Sequence, residues 1–135
     1  MVTLNKKIIA SGNRETAAAN ADLSTGTGIV TVNGVDVNAI KPAIIKMKIM
    51  TPLLLAPDVA KKVDIKIRLT GGGISSRAEA AALAIARALV KHDKKLEKPF
   101  LDYDRHLLVA DVRRKEAVKP NRHGSARSKR QKSYR

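Results

Sequence analysis

The chain has 135 residues, and 27 Lys and Arg against 12 Asp and Glu leave a net charge of +15. So large an excess on so short a chain points to a polyanionic partner, nucleic acid first, because self-repulsion is relieved only when that partner binds. Two Tyr, one Phe and no Trp exclude an aromatic platform for splayed bases. Zero Cys excludes a disulfide framework, a thiolate metal site and a cysteine nucleophile, and fits a reducing compartment. The longest unbroken apolar run, Ala80 to Ala86, is far below the roughly 20 residues that span a bilayer. No leader or membrane partner is therefore expected.

In chain order, a first strand is predicted near Lys7 to Ser11. A second runs from Thr16 to Ser24, with Ala17, Ala19, Ala21 and Leu23 on one face. Ile29 to Val32 and Val35 to Val37 flank Asn33-Gly34, a pair that tolerates positive φ at both centres of a tight hairpin. A helix is predicted from about Pro42 to Pro57, with Ile44, Met47, Met50 and Leu54 facing inward. Asp64 to Thr70 alternates Ile65, Ile67 and Leu69 with polar residues, the strongest strand signal in the chain. Ser76 to His92 is predicted as the main helix. Ser76 and Glu79 have capping-box spacing, and Ile74, Ala78, Ala81, Ala82, Ile85, Ala88 and Leu89 form its apolar stripe. A short helix follows around Lys95 to Tyr103. Hairpins mixed with crossovers make the class α+β with a mixed sheet.

Charge divides the chain at about residue 112. Residues 113–135 carry Arg113, Arg114, Lys115, Lys119, Arg122, Arg127, Lys129, Arg130, Lys132 and Arg135 against the single acid Glu116. Residues 1–112 are predicted as a globular RNA-binding body, and 113–135 as a basic arm. From Lys119 onward the arm has too little apolar surface to offset its ordering entropy, so it is expected to be disordered when free.

Gly71-Gly72-Gly73 separates the best strand from the best helix. It lacks the G-K-[ST] of a phosphate-binding loop, so a purely structural turn and backbone contact with a nucleic-acid phosphate both remain open. His92, His106 and His123 have no metal-ligand spacing. Asp102 and Asp104 read as turn and ion-pair residues, and Ser75 and Ser76 as capping residues. No nucleophile stands with a base and its orienting partner, so no catalytic residue, metal or cofactor is expected.

The strings S-G-N-R-E-T-A at 11 to 17, T-G-x-G-I-V-x-V-N-G at 25 to 34, K-I-M-x-P-L-L-L at 48 to 55, G-G-G-I at 71 to 74 and A-I-A-R-A-L at 84 to 89 resemble the family of the ninth protein of the small ribosomal subunit. So do D-R-H-L-L-V-A-D-V-R-R at 104 to 114 and the ending K-R-Q-K-S-Y-R at 129 to 135, in an archaeal or eukaryotic form. The resemblance implies a four-stranded mixed sheet with helices on one face and a left-handed β-α-β crossover, like the second domain of the fifth small-subunit protein. It also implies a non-catalytic ribosomal component in the cytoplasm. Its partners would be small-subunit ribosomal RNA, neighbouring head proteins of the subunit and peptidyl-site transfer RNA.

The residues assigned to ribosomal RNA are Arg14, Arg68, Gly71, Gly72, Gly73, Arg77, Arg113, Arg114, Lys119, Arg122 and Arg127. Those assigned to transfer RNA are Lys129, Arg130, Lys132, Ser133, Tyr134 and Arg135. Where relatives often read G-K-R-K, this chain has Gly12-Asn13-Arg14-Glu15, a less cationic hairpin, whereas Arg77 stands where Gln is frequent. The other reading is a free nucleic-acid-binding protein with a basic tail.

Overall fold

Alternation in the first strands places small residues on one face, and that face receives a long helix. The computed structural model describes residues 7–127. Its strands are β1 (Ile8–Arg14), β2 (Ala17–Thr25), β3 (Val30–Val32), β4 (Val35–Asp36) and β5 (Val63–Thr70). The helices are α1 (Ala43–Leu55), α2 (Pro57–Ala60), α3 (Ile74–His92) and α4 (Glu97–Tyr103). The sheet order is β1-β2-β5-β3-β4, antiparallel except where β3 runs parallel to β5. The class is α+β with a mixed sheet, as the sequence indicates, but five strands replace the four implied by family resemblance. The additional one is the two-residue β4, which Asn33-Gly34 turns back onto β3 with positive φ at both residues.

Ala10 and Gly12 of β1, Ala17 to Leu23 at alternate positions of β2, Val63 to Ile67 of β5 and Val30 and Val32 of β3 face the core. Against them lie Ala78, Ala81, Ile85, Ala88 and Leu89 of α3. The approach is close: a Cβ built on Gly12 would stand 2.5 Å from the Ala80 carbonyl oxygen and 2.7 Å from the Ala84 amide nitrogen. That vacancy explains why β1 extends to Arg14 rather than ending near Ser11. Gly12 holds an inward position without contributing to apolar periodicity. The other face of the sheet is polar, with Ser11, Asn13, Asn20, Lys66 and Arg68 exposed. β1 is an edge strand, and two of its carbonyls are occupied by side chains of α3. Lys91 Nζ donates to Ile9 O at 2.8 Å and Arg87 Nη1 to Ser11 O at 2.9 Å, which blocks further strand pairing there.

Two sequence expectations fail on the helices. α3 starts at Ile74 with Gly73 as its N-cap and no side-chain cap, so Ser76 and Glu79 form no capping box. Ser75 and Ser76 do not cap either. Ser75 Oγ accepts from Lys48 Nζ at 3.0 Å, and Ser76 Oγ donates to Glu15 at 3.3 Å. The helix begins directly after the triple glycine, two residues before Ser76, and lateral partners take both hydroxyls and Glu79. Ile74 consequently lies outside the buried stripe, at 67% exposure.

In α1 the buried side carries Ile49, Pro52 and Leu53, while Ile44, Met47 and Leu54 are exposed and Met50 is half-buried. Apolar residues surround this helix, so periodicity could not select its inner face. Pro52 lies inside it, and Thr51 Oγ1 donates back to Met47 O at 2.9 Å. Phe100 of α4 is wholly buried. No helix among the described residues is long and apolar enough to cross a membrane.

Gly12→Ala is expected to destabilise the body by about 1 to 3 kcal/mol through overpacking against α3. Urea denaturation reports this as a lower midpoint at unchanged slope, and an unchanged midpoint would contradict the close approach.

Candidate nucleic-acid interface

One end of the sheet gathers the β1–β2 turn, the glycine turn before α3 and the root of the basic arm. Gly71 and Gly72 have φ of +67° and +66°, and a Cβ on Gly71 would meet the Thr16 carbonyl oxygen at 2.5 Å. The first two glycines are thus needed by the turn itself, whichever partner it meets. Gly73 has open space around it. Arg77 is exposed and folds back, its Nε donating to Gly71 O at 2.7 Å. Among the described residues no carboxylate pairs with it. Beside this turn Glu15, Thr16, Arg113, Arg114 and Lys115 line an open hollow of about 540 Å³.

Arg14 is differently placed. Its guanidinium is 19% exposed, lies 2.8 Å from Glu79 and bonds Asp111. Sequence alone could not distinguish this inward cation from an outward one, because both partners are distant in the chain. Arg68 stands on the polar sheet face, 75% exposed, at 3.3 Å from Asp22. Arg113 is 76% exposed and 2.7 Å from Asp111. Arg114 is exposed, with no acid in ion-pairing reach among the described residues.

Residues 113–127 form no helix or strand. Glu116 accepts from Lys119 at 2.9 Å and from Arg127 at 2.8 Å, and Ser125 N donates to Arg122 O at 3.0 Å, so this stretch closes on its one acid. Lys129, Arg130, Lys132, Ser133, Tyr134 and Arg135 lie outside the described residues. His92, His106 and His123 are all exposed.

The acids mostly serve the fold. Asp36, Asp93 and Asp104 each accept the amide two residues on, capping short 3-10 turns. Asp64 Oδ1 accepts the amides of Thr27, Gly28 and Ile29 at 2.8, 3.0 and 2.9 Å, tying the β2–β3 loop to β5. The amides of Ile29 and Thr27 hold the Asp64 carboxyl below its usual range against an opposing effect of partial burial, and the Gly28 amide and nearby Lys66 add to the lowering. Asp22, Glu79, Asp111 and Glu116 each hold a cation. Asn33 also fastens two strands, its carboxamide accepting from Leu69 N at 2.9 Å and donating to Leu69 O at 3.3 Å. Neither Asp64 nor Asn33 has a sequence signal beyond the T-G-x-G-I and N-G strings around their partners.

The arrangement can bind a phosphate backbone by charge and shape. It presents exposed guanidiniums and ammoniums around a backbone turn, with Glu15 as the exposed carboxylate among the residues that line the hollow.

The profile of the family described as Ribosomal protein S9/S16 matches residues 12–135. A protein of Thermoplasma acidophilum called small ribosomal subunit protein uS9 is 48% identical over 130 residues, 95% of this chain and 100% of its own. Proteins of the same name from Thermoplasma volcanium and Desulfurococcus amylolyticus are 44% and 46% identical. They share 95% and 96% of this chain and 98% and 94% of their own lengths.

Asp64→Asn is expected to loosen residues 25–29 and lower the melting temperature at neutral pH. Because the folded carboxyl titrates below its unfolded value of 3.8, its contribution is present above that value and is lost as pH falls through the folded one. Melting curves of the two proteins, taken from pH 7 downward, should therefore converge in acid. A constant gap would show that the charge of Asp64 is immaterial.

Proposed function

The chain belongs to the ribosomal protein S9/S16 family, and from that membership we propose that it is a structural, non-catalytic constituent of the small ribosomal subunit in the cytoplasm. The observation that carries the reading is the match over residues 12–135, with relatives named for the same subunit. The charge distribution supports it, since the cations outnumber acids by more than two to one and the acids are mostly engaged within the fold.

In this reading the body and arm root bind small-subunit ribosomal RNA in the subunit head. Arg68 lies on the sheet face, the amides of Gly71 to Gly73 and Arg77 at the start of α3, and Arg113, Arg114, Lys119, Arg122 and Arg127 along the arm. Arg14 contributes through Glu79 and Asp111 rather than by meeting phosphate head-on. Lys129, Arg130, Lys132, Ser133, Tyr134 and Arg135 reach the anticodon stem-loop of peptidyl-site transfer RNA. Head proteins of the subunit are neighbours, and the β3-α1-β5 crossover is left-handed, both by family resemblance. The arm orders on its RNA partner.

The protein is expected to track small subunits through a sucrose gradient after a moderate salt wash. Recovery only at the top of the gradient would favour a free nucleic-acid-binding protein. Deleting Arg135 should leave assembly intact and speed transfer RNA release from programmed subunits by about tenfold or more, as expected when one charge-assisted hydrogen bond is removed. Arg135→Lys, which retains the charge without the planar fork, should recover part of that effect. Equal off-rates for all three proteins would remove the terminus from transfer RNA binding.

A further inference from the structure

Five charged side chains join four separate parts of the chain at the arm root. Arg14 closes β1, Lys48 lies in α1, Glu79 in α3, and Asp111 and Arg113 at the arm root. Arg14 and Lys48 share Glu79 at 2.8 and 3.0 Å, and Arg14 also bonds Asp111 Oδ2. The same Asp111 oxygen accepts Arg113 Nε at 2.9 Å and Nη2 at 2.7 Å, while Oδ1 accepts the Arg113 amide at 2.9 Å. Asp111 is only 13% exposed. Just upstream, Arg87 Nε donates to Leu108 O at 3.0 Å. Beyond Asp111 every residue to Asn121 is exposed. Asp111 is therefore the last side chain fastened to the body before the cations of the arm begin.

The charge at this position opposes RNA binding, because a carboxylate beside Arg113, Arg114 and Lys115 weakens their attraction for phosphate. Its geometry does the reverse. One oxygen holds an inward guanidinium from β1 and an outward one from the arm, and the other oxygen fixes the backbone of Arg113. Without the negative charge, Arg14 retains Glu79. Arg113 then loses its partner at 2.7 Å and faces Arg14 as a like charge, with Glu15 and Glu79 as the further acids acting on it among the described residues.

We propose that Asp111, clamped by Arg14, is a positioning residue that sets the direction in which the basic arm leaves the body. It thereby aims Arg113, Arg114 and Lys115 around the hollow beside the β1–β2 turn. This rests on the RNA-binding reading for its consequence, and on geometry alone for the arm direction.

The two roles of Asp111 predict opposite signs. Asp111→Asn makes the full chain one charge more positive, so simple electrostatics requires tighter binding to small-subunit ribosomal RNA. Positioning requires about tenfold weaker binding, the effect of removing a charge-assisted hydrogen bond, with partial rescue by Asp111→Glu. Binding as tight as that of the original protein, or tighter, would overturn the proposal.

The second readout needs no RNA. The chain has no Cys, so nitroxides on introduced cysteines at Lys115 and Lys98 are the sole pair, and pulsed electron spin resonance gives their distance distribution. It should be narrow in the parent and broad with Asp111→Asn, and equal widths would also overturn the proposal. Arg14→Lys keeps net charge but loses the fork that bridges Glu79 and Asp111. It should broaden the distribution in the same way, which keeps the test decisive should Asp111→Asn fail to fold. A parent protein that fails to bind the RNA would refute the functional reading, while the distances would still judge the positioning.

Discussion

The closeness of α3 to β1 is the constraint on which the rest of the molecule depends. With no side chain at Gly12 and alanine at most facing positions, the helix lies directly on the first hairpin. That proximity lets Arg87 and Lys91 reach the edge carbonyls of β1, and lets Arg14 reach Glu79. It also brings the glycine turn against Thr16. A bulkier interface would lift α3 away and dissolve these contacts together, because each spans elements far apart in sequence.

Charge is divided by direction rather than by region alone. Carboxylates cap short turns, tie a loop and hold selected cations, while the outward surface near the arm root carries Arg77, Arg113, Arg114 and Lys115 against the single exposed acid Glu15 that lines the hollow beside them. The net charge of +15 thus understates how basic this end of the molecule is to an approaching polyanion. Asp111 links the two uses, with one guanidinium inside and one outside on the same carboxylate.

Elements with strong local signals are legible in the sequence. β5 alternates cleanly, Asn33-Gly34 takes the hairpin geometry its dihedral preferences require, and the alanine-rich helix forms where its stripe places it. The inner face of α1 is not legible, since apolar residues occupy every side of it. The start of α3 is also displaced from its sequence signal, because Ile74 and Ser75 enter the helix ahead of the serine that carries the capping signature. At the interface, the glycine turn and the arm's charge can be read directly. The inward role of Arg14 cannot, as its partners lie 65 and 97 positions away along the chain. Asp64 and Asn33 escape a sequence reading for the same reason, both acting across strands that only the fold brings together.

On the proposed function, binding energy for RNA resides mainly in the cations of the arm, where residues 113–135 hold ten Lys and Arg against one acid. The most direct measurement is the salt dependence of affinity for small-subunit ribosomal RNA, compared between the full chain and a full-length variant with every Lys and Arg of residues 113–135 replaced by Gln. The variant should melt like the parent while its plot of log affinity against log salt flattens by several units, at about 0.7 to 0.9 for each phosphate no longer neutralised. A parallel plot of undiminished slope would contradict it and place the RNA-binding surface on the body.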